Sequence, residues 1–194
     1  WFYTLLAIGT ILEQAGVVEE GPYRNVVVLG HINDSKGKKL SKSLGNYIDP
    51  MEIINQYGAD AIRWFLYTVN QPWDPKNFDT KIVEEGVKKT FLILTNVLSF
   101  WKMYAGEESE VTTTHVLDRW VQSLTDQLVQ KVTVKIEAYD ITGAARDIVS
   151  FVTEVSTWYV RRSRDRFKSD ERATAAATLR RVLLTLSKVM APFT

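Results

Sequence analysis

Thr80-Lys81-Ile82-Val83-Glu84-Glu85-Gly86-Val87-Lys88-Lys89-Thr90-Phe91-Leu92-Ile93-Leu94-Thr95-Asn96-Val97-Leu98-Ser99-Phe100-Trp101 carries Val83, Val87, Phe91, Leu94, Leu98 and Trp101 at steps of three and four residues. That spacing gathers them on one face of an α-helix. The same period returns in Leu117, Trp120, Leu124, Leu128, Val132 and Ile136, then in Ile148, Val152, Val155 and Tyr159, and again in Ala176, Leu179, Leu183, Leu186 and Met190. Breaks are expected at Gly106–Thr114 and Asp140–Gly143, with a weaker one at Lys168–Asp170. No proline lies between Pro75 and Pro192, so nothing there interrupts a long helix. Amphipathic helices with short links predict an antiparallel α-helical bundle over 80–194.

Upstream the pattern changes. Gln71-Pro72-Trp73-Asp74-Pro75-Lys76-Asn77-Phe78 has two prolines and no period, so it reads as a connector and a boundary. Before it, Asp49-Pro50-Met51-Glu52 is a helix start: Asp49 can cap, Pro50 suits the first helical position and Glu52 completes a capping box. That helix is expected to end at Tyr57-Gly58, with glycine left-handed, and a second to run from about Ala59 to Val69. Residues 49–79 thus form a helical connector. Further back, Asn25-Val26-Val27-Val28-Leu29-Gly30 reads as a short strand buried on both faces of a parallel sheet. Trp1 to Glu13 reads as a buried helix. Residues 1–48 are therefore expected to be the end of an α/β domain of Rossmann-like type, and the chain as a whole to be mainly α.

Composition bounds the rest. The chain has 194 residues, 45% hydrophobic and 24% charged, with net charge +1, values ordinary for a globular protein. There is no cysteine, and the two histidines, His31 and His115, lie far apart; neither disulfides nor a metal site are expected. No apolar run reaches the ~20 residues of a membrane span. The start reads as an internal segment, not a signal peptide, and the chain is expected to be cytoplasmic.

Within residues 1–48, Gly37-Lys38-Lys39-Leu40-Ser41-Lys42-Ser43-Leu44-Gly45-Asn46 puts lysines and serines on a short loop between glycines. Ammonium groups can grip phosphate oxygens and hydroxyls add hydrogen bonds without bulk. Ligands of α/β sheets lie beyond the carboxyl ends of strands, where this loop would fall. By charge alone, a solvated basic turn is the better account of it. Lys36 and Lys38 read as solvated flanks, and Gly45 and Asn46 as shapers of the turn.

The order of residues adds more. Lys39-Leu40-Ser41-Lys42-Ser43 resembles the KMSKS signature of class I aminoacyl-tRNA synthetases, with Leu40 where the family usually has methionine. Its continuation Leu44-Gly45-Asn46-Tyr47-Ile48-Asp49-Pro50 is most similar to the isoleucyl branch. So are Trp1-Phe2-Tyr3-Thr4-Leu5-Leu6 and Trp158-Tyr159-Val160-Arg161-Arg162-Ser163-Arg164-Asp165-Arg166-Phe167. The resemblance implies ATP as substrate with Mg2+, isoleucine and tRNA as partners, and no membrane. It implies catalytic roles for Lys39 and Lys42, and phosphate binding by Lys39, Ser41, Lys42 and Ser43. It further implies that the final part is an anticodon-binding helical domain.

Two readings stand open for Arg161, Arg162, Arg164 and Arg166: contact with tRNA phosphates, or the solvated end of a helix. Trp158 and Tyr159 are assigned to the core. The HIGH motif of the relatives is absent, as are the segments holding the amino acid, so the chain alone is expected to be inactive. Two alternatives are a non-catalytic RNA-binding module derived from a synthetase, and a fragment of a valyl- or leucyl-type enzyme.

Overall fold

A computed structural model describes residues 1–106 and 115–194. The break expected at Gly106–Thr114 lies, beyond Gly106, outside the described residues. The chain is mainly helical. Helix α1 spans Phe2–Gln14, α2 Pro50–Tyr57 and α3 Ala59–Thr68; β1 is Ile32–Asn33 and β2 is Lys76–Asn77. Helix α4 (Thr80–Gly86) runs through a wider π segment, Val87–Leu92, into α5 (Ile93–Tyr104). Then come α6 (Val116–Glu137) and α7 (Ile141–Glu154), the latter continuing through a second π segment, Val155–Val160, into α8 (Arg161–Ser163). Helix α9 is Arg172–Met190.

The apolar stripes become one core. Val97, Val121, Ile148, Tyr159, Leu179 and Leu186 are all buried there. Complete burial of an aliphatic side chain of this size contributes about 1.5–3 kcal/mol. Ala144, Ala145, Ala175 and Ala176 are fully buried, and such small residues let helix backbones approach closely. Leu98, on the expected stripe, is instead partly exposed. Between α6 and α7 the chain reverses at Tyr139, whose φ is 60°, and Asp140 caps α7 by accepting the Gly143 N–H at 2.9 Å. A Cβ on Gly143 would fall 2.0 Å from Asp140 Oδ2, so a side chain there would evict the cap.

The connector is woven into this core. Adjacent residues of α3 serve two clusters: Trp64 enters the main core beside Phe91 and Phe193, while Phe65 joins Ile53, Ala61, Phe78 and Val83. Arg146 of α7 donates to the carbonyls of Thr68 and Val69 at 3.2 and 2.7 Å, and Thr142 to that of Asn70 at 2.6 Å. Asp49 caps α2 by accepting the Met51 N–H at 2.9 Å. Gly58 does take positive φ, but with ψ 154°, an extended form and not the left-handed helical turn expected.

Two expectations for residues 1–48 are corrected. Asn25–Gly30 is not a strand: Val26 to Leu29 are exposed, Leu29 to 71%. A strand exists only through its partners' hydrogen bonds, and among the described residues the two strands formed are parallel β1 and β2, Ile32 opposite Lys76 and Asn33 opposite Asn77. The approach is close at Gly30, where a Cβ would meet the Asp74 carbonyl oxygen at 2.3 Å. Helix α1 forms as expected but is exposed, Tyr3 to 84%, with Gly9 its buried residue. Among the described residues no helix is long and apolar enough to cross a membrane.

Candidate functional site

Beyond the carboxyl end of β1 the backbone turns sharply. Asp34 N–H donates to the Lys38 carbonyl at 2.7 Å and Gly37 N–H to the Asp34 carbonyl at 3.0 Å; Gly37 takes φ 78° there. Lys39 then bridges back to Asn33. The chain continues into a single 3-10 turn, Lys42–Leu44, ended by Gly45 at φ 67° and ψ 10°.

This shape distributes the lysine loop as follows. Lys39, Lys42 and Ser43 are exposed and Ser41 is half-buried. Ser41 Oγ and Ser43 Oγ share a hydrogen bond of 2.8 Å, which brings the two hydroxyls to one side of the turn. Lys42 Nζ lies 5.1 Å from the Tyr47 ring centroid, a cation–π contact that steadies the ammonium without neutralising it. Neither Lys39 nor Lys42 forms a salt bridge with another described residue. Two cations and two hydroxyls on one exposed turn can bind an anion with several oxygens.

Two residues hold the loop from within. Asp34 Oδ1 accepts the N–H groups of Lys36 and Lys38 at 2.9 and 2.8 Å. Asn46 accepts the Ser41 N–H at 2.9 Å and donates to Asp34 Oδ2 at 3.0 Å and to the Lys39 carbonyl at 3.2 Å. These donors, Asn46 first, hold the Asp34 carboxyl below its ordinary range. Asp34 escaped the sequence reading; its signal was an acid three residues before a glycine, the pattern of an Asx turn.

The arginines part company. Arg161, Arg162 and Arg164 are exposed at the end of the α7–α8 helix. Arg162 stacks on Trp158, its Cζ 3.9 Å from the ring centroid, and Trp158 in turn meets Trp120 at 6.4 Å. Trp158 is 43% exposed, which corrects its assignment to the core; one position on, Tyr159 is fully buried as expected.

Arg166 differs from its neighbours. It donates to both carboxylate oxygens of buried Asp118, at 2.7 and 2.8 Å, and to Glu171 at 2.6 Å. Tyr159 donates to the same Asp118 at 2.8 Å. The Asp118 carboxylate raises the Arg166 pKa, while burial and then Asp118 raise that of Tyr159. Arg166 is thus committed inward, which sets it apart from the arginines that face solvent. Among the described residues no cluster of three or more acidic or histidine side chains is arranged to hold a metal ion.

Residues 1–78 match the family of tRNA synthetases class I (I, L, M and V), and residues 118–194 match the anticodon-binding domain of tRNA ligase. An isoleucine--tRNA ligase 2 of Bacillus cereus is 44% identical over 205 residues, which cover all of this chain and 19% of that protein. Isoleucine--tRNA ligase of Clostridium tetani is 41% identical over 204 residues, again 19% of its length. This chain therefore spans about a fifth of these relatives. In fold it is similar to the LeuRS of Agrobacterium radiobacter, solved as a ternary complex with tRNA and LeuAMS, with TM-score 0.72 and 24% identity over 96% of this chain and 23% of that one. The methionyl-tRNA synthetase of Mycobacterium tuberculosis, in complex with methionyl-adenylate, gives TM-score 0.76 and 20% identity over 95% of this chain and 38% of that one. The chain is thus similar to class I tRNA synthetases at one end and to their anticodon-binding domain at the other, and resembles isoleucine--tRNA ligases along its whole length.

Proposed function

We propose that these 194 residues are part of an isoleucine–tRNA ligase. The intact enzyme joins the isoleucine carboxylate to the α-phosphate of ATP, expels pyrophosphate, and passes the acyl group to tRNA. Residues 1–48 are the end of a Rossmann-like nucleotide-binding domain, 49–79 a connector, and 80–194 an antiparallel, anticodon-binding helical bundle. The isoleucine pocket lies mostly outside the chain, which by itself forms no adenylate. The setting is cytoplasmic, and Mg2+ arrives with the ATP.

The observation that carries this reading is the exposed turn on which Lys39 and Lys42 have no carboxylate partner among the described residues. As the bond from the α-phosphorus to the bridging oxygen breaks, negative charge grows on the departing pyrophosphate. A unit charge ~4 Å away is worth roughly 4 kcal/mol at an effective dielectric near 20, and it counts more in the transition state than before it. Ser41 and Ser43 add hydroxyl donors to the same oxygens. Arg161, Arg162 and Arg164 contact tRNA phosphates, with Trp158 available for stacking. Arg166 serves by holding the end of that helix.

The test is isoleucine-dependent pyrophosphate exchange by the intact enzyme. Lys42→Ala should slow it by about 10²–10³, the loss of one transition-state donor, with isoleucine binding little changed. A nearly normal exchange rate would remove Lys42 from the chemistry.

A further inference from the structure

Asp34 and Asn46 are twelve residues apart and neither carries the charge that phosphate needs, yet between them they bind four of the peptide groups around the lysine loop. Asp34 Oδ1 takes the N–H groups of Lys36 and Lys38, and Asn46 takes the N–H of Ser41 and gives to the carbonyl of Lys39. The two side chains then join through Asn46 Nδ2 and Asp34 Oδ2 at 3.0 Å. Because a carboxylate can only accept, the amide must face it with nitrogen. That orientation leaves the amide oxygen for Ser41. Gly45, left-handed at φ 67°, lets the backbone reverse so that Asn46 folds back over the segment it bonds.

We propose that Asp34 and Asn46 are positioning residues for adenylate formation, a clamp that keeps the loop in the one shape from which Lys39 and Lys42 meet the departing pyrophosphate. The inference rests on the synthetase reading above. Charges placed in advance stabilise a transition state without reorganising, and a misplacement of about 1 Å can cost ~10²-fold. The clamp spends its own polar atoms on backbone, so Asp34 presents its charge to N–H groups and not to the nucleotide.

The geometry dictates a reciprocal exchange. In Asp34→Asn, two amide nitrogens face each other; in Asn46→Asp, two carboxylates do. Each single variant should lower kcat for pyrophosphate exchange in the intact enzyme by about 10–10², with KM for isoleucine unchanged. In the double variant D34N/N46D the donor and acceptor trade places. Oδ1 of residue 34 still takes its two N–H groups and residue 46 still takes Ser41 N–H, while the Lys39 carbonyl loses its donor and faces a carboxylate oxygen, the residual penalty of the exchange. The double variant should therefore recover to within about fivefold of wild type, a non-additivity expected of coupled neighbours. Single variants at the wild-type rate, or a double variant no faster than the slower single, would overturn the clamp. If wild type and Lys42→Ala behave as the synthetase reading requires while these variants do not, the clamp alone fails. If Lys42→Ala is itself normal, the synthetase role of the loop falls first.

Discussion

Arg166 grips Asp118 with two parallel hydrogen bonds, 2.7 and 2.8 Å, across 48 residues of chain. Asp118 is fully buried and lies at the start of α6, while Arg166 follows α8 and is 11% exposed. The pair pins the end of the arginine-bearing helix to a neighbouring helix.

Removing Arg166 should take the counter-charge from the buried Asp118 carboxylate while the Tyr159 hydroxyl still donates to it. Arg166→Ala is expected to destabilise the helical region by about 3–5 kcal/mol, read from urea unfolding followed by circular dichroism. Tyr159→Phe, which loses one hydrogen bond to the same carboxylate, should cost about 1.5–3 kcal/mol. Equal effects of the two variants would mean that the ion pair does not anchor this end.

Contact of the exposed arginines with tRNA has a salt signature. Arg162→Ala or Arg164→Ala should weaken tRNA binding by the intact enzyme, and should reduce the slope of log affinity against log salt by about 1 each. Trp158→Ala should weaken binding by about 1–3 kcal/mol if a base stacks there, with the salt slope unchanged. An unaltered affinity in all three would move the tRNA path off this face.

The α6–α7 turn predicts a pH dependence. The Gln71 amide, at 2.6 Å, and then the Gly143 N–H hold the Asp140 carboxyl below its ordinary range. A carboxyl lowered on folding contributes stability that is present above the ordinary carboxylate range, and loses it as pH falls through the lowered folded value. Asp140→Asn should therefore melt lower than wild type at neutral pH and show a flatter fall in Tm between about pH 5 and about pH 2, the range over which native-state carboxylates titrate.

Gly30 tests the strand pair. Gly30→Ala would drive a methyl against the backbone of Asp74 and Pro75, with contacts of 2.3 to 2.7 Å. Overpacking of this kind costs about 1–3 kcal/mol. In the intact enzyme it should also slow adenylate formation, because the lysine loop hangs from β1. Normal kinetics in a normally folded variant would show that the pairing does not position the loop.

Much of this molecule is written locally. The period of Val83 to Trp101 and of the later stripes decides helix, because an apolar face at 3.6-residue spacing can be buried only that way. Asp49 before Pro50 announces its cap, and the lysine loop is legible as a string of residues. Asn25–Gly30 misled for the opposite reason: β-branched residues favour extension, but a strand needs partners, and those are not chosen by the segment itself. Trp158 and Tyr159 show the same limit at finer scale. Both fit a helix, and which of them faces the core follows from where α6 lies.

By its order of residues the chain determines its helices, its caps and the ammonium and hydroxyl groups of residues 39–43, since these depend on backbone preference and side-chain type within a few residues. Tertiary structure alone decides that Arg166 is anchored while Arg161, Arg162 and Arg164 face solvent, and that Asp34 meets Asn46. Hydrogen bonding and burial reward proximity in space, and four arginines of identical chemistry acquire different roles from the groups the fold brings beside them.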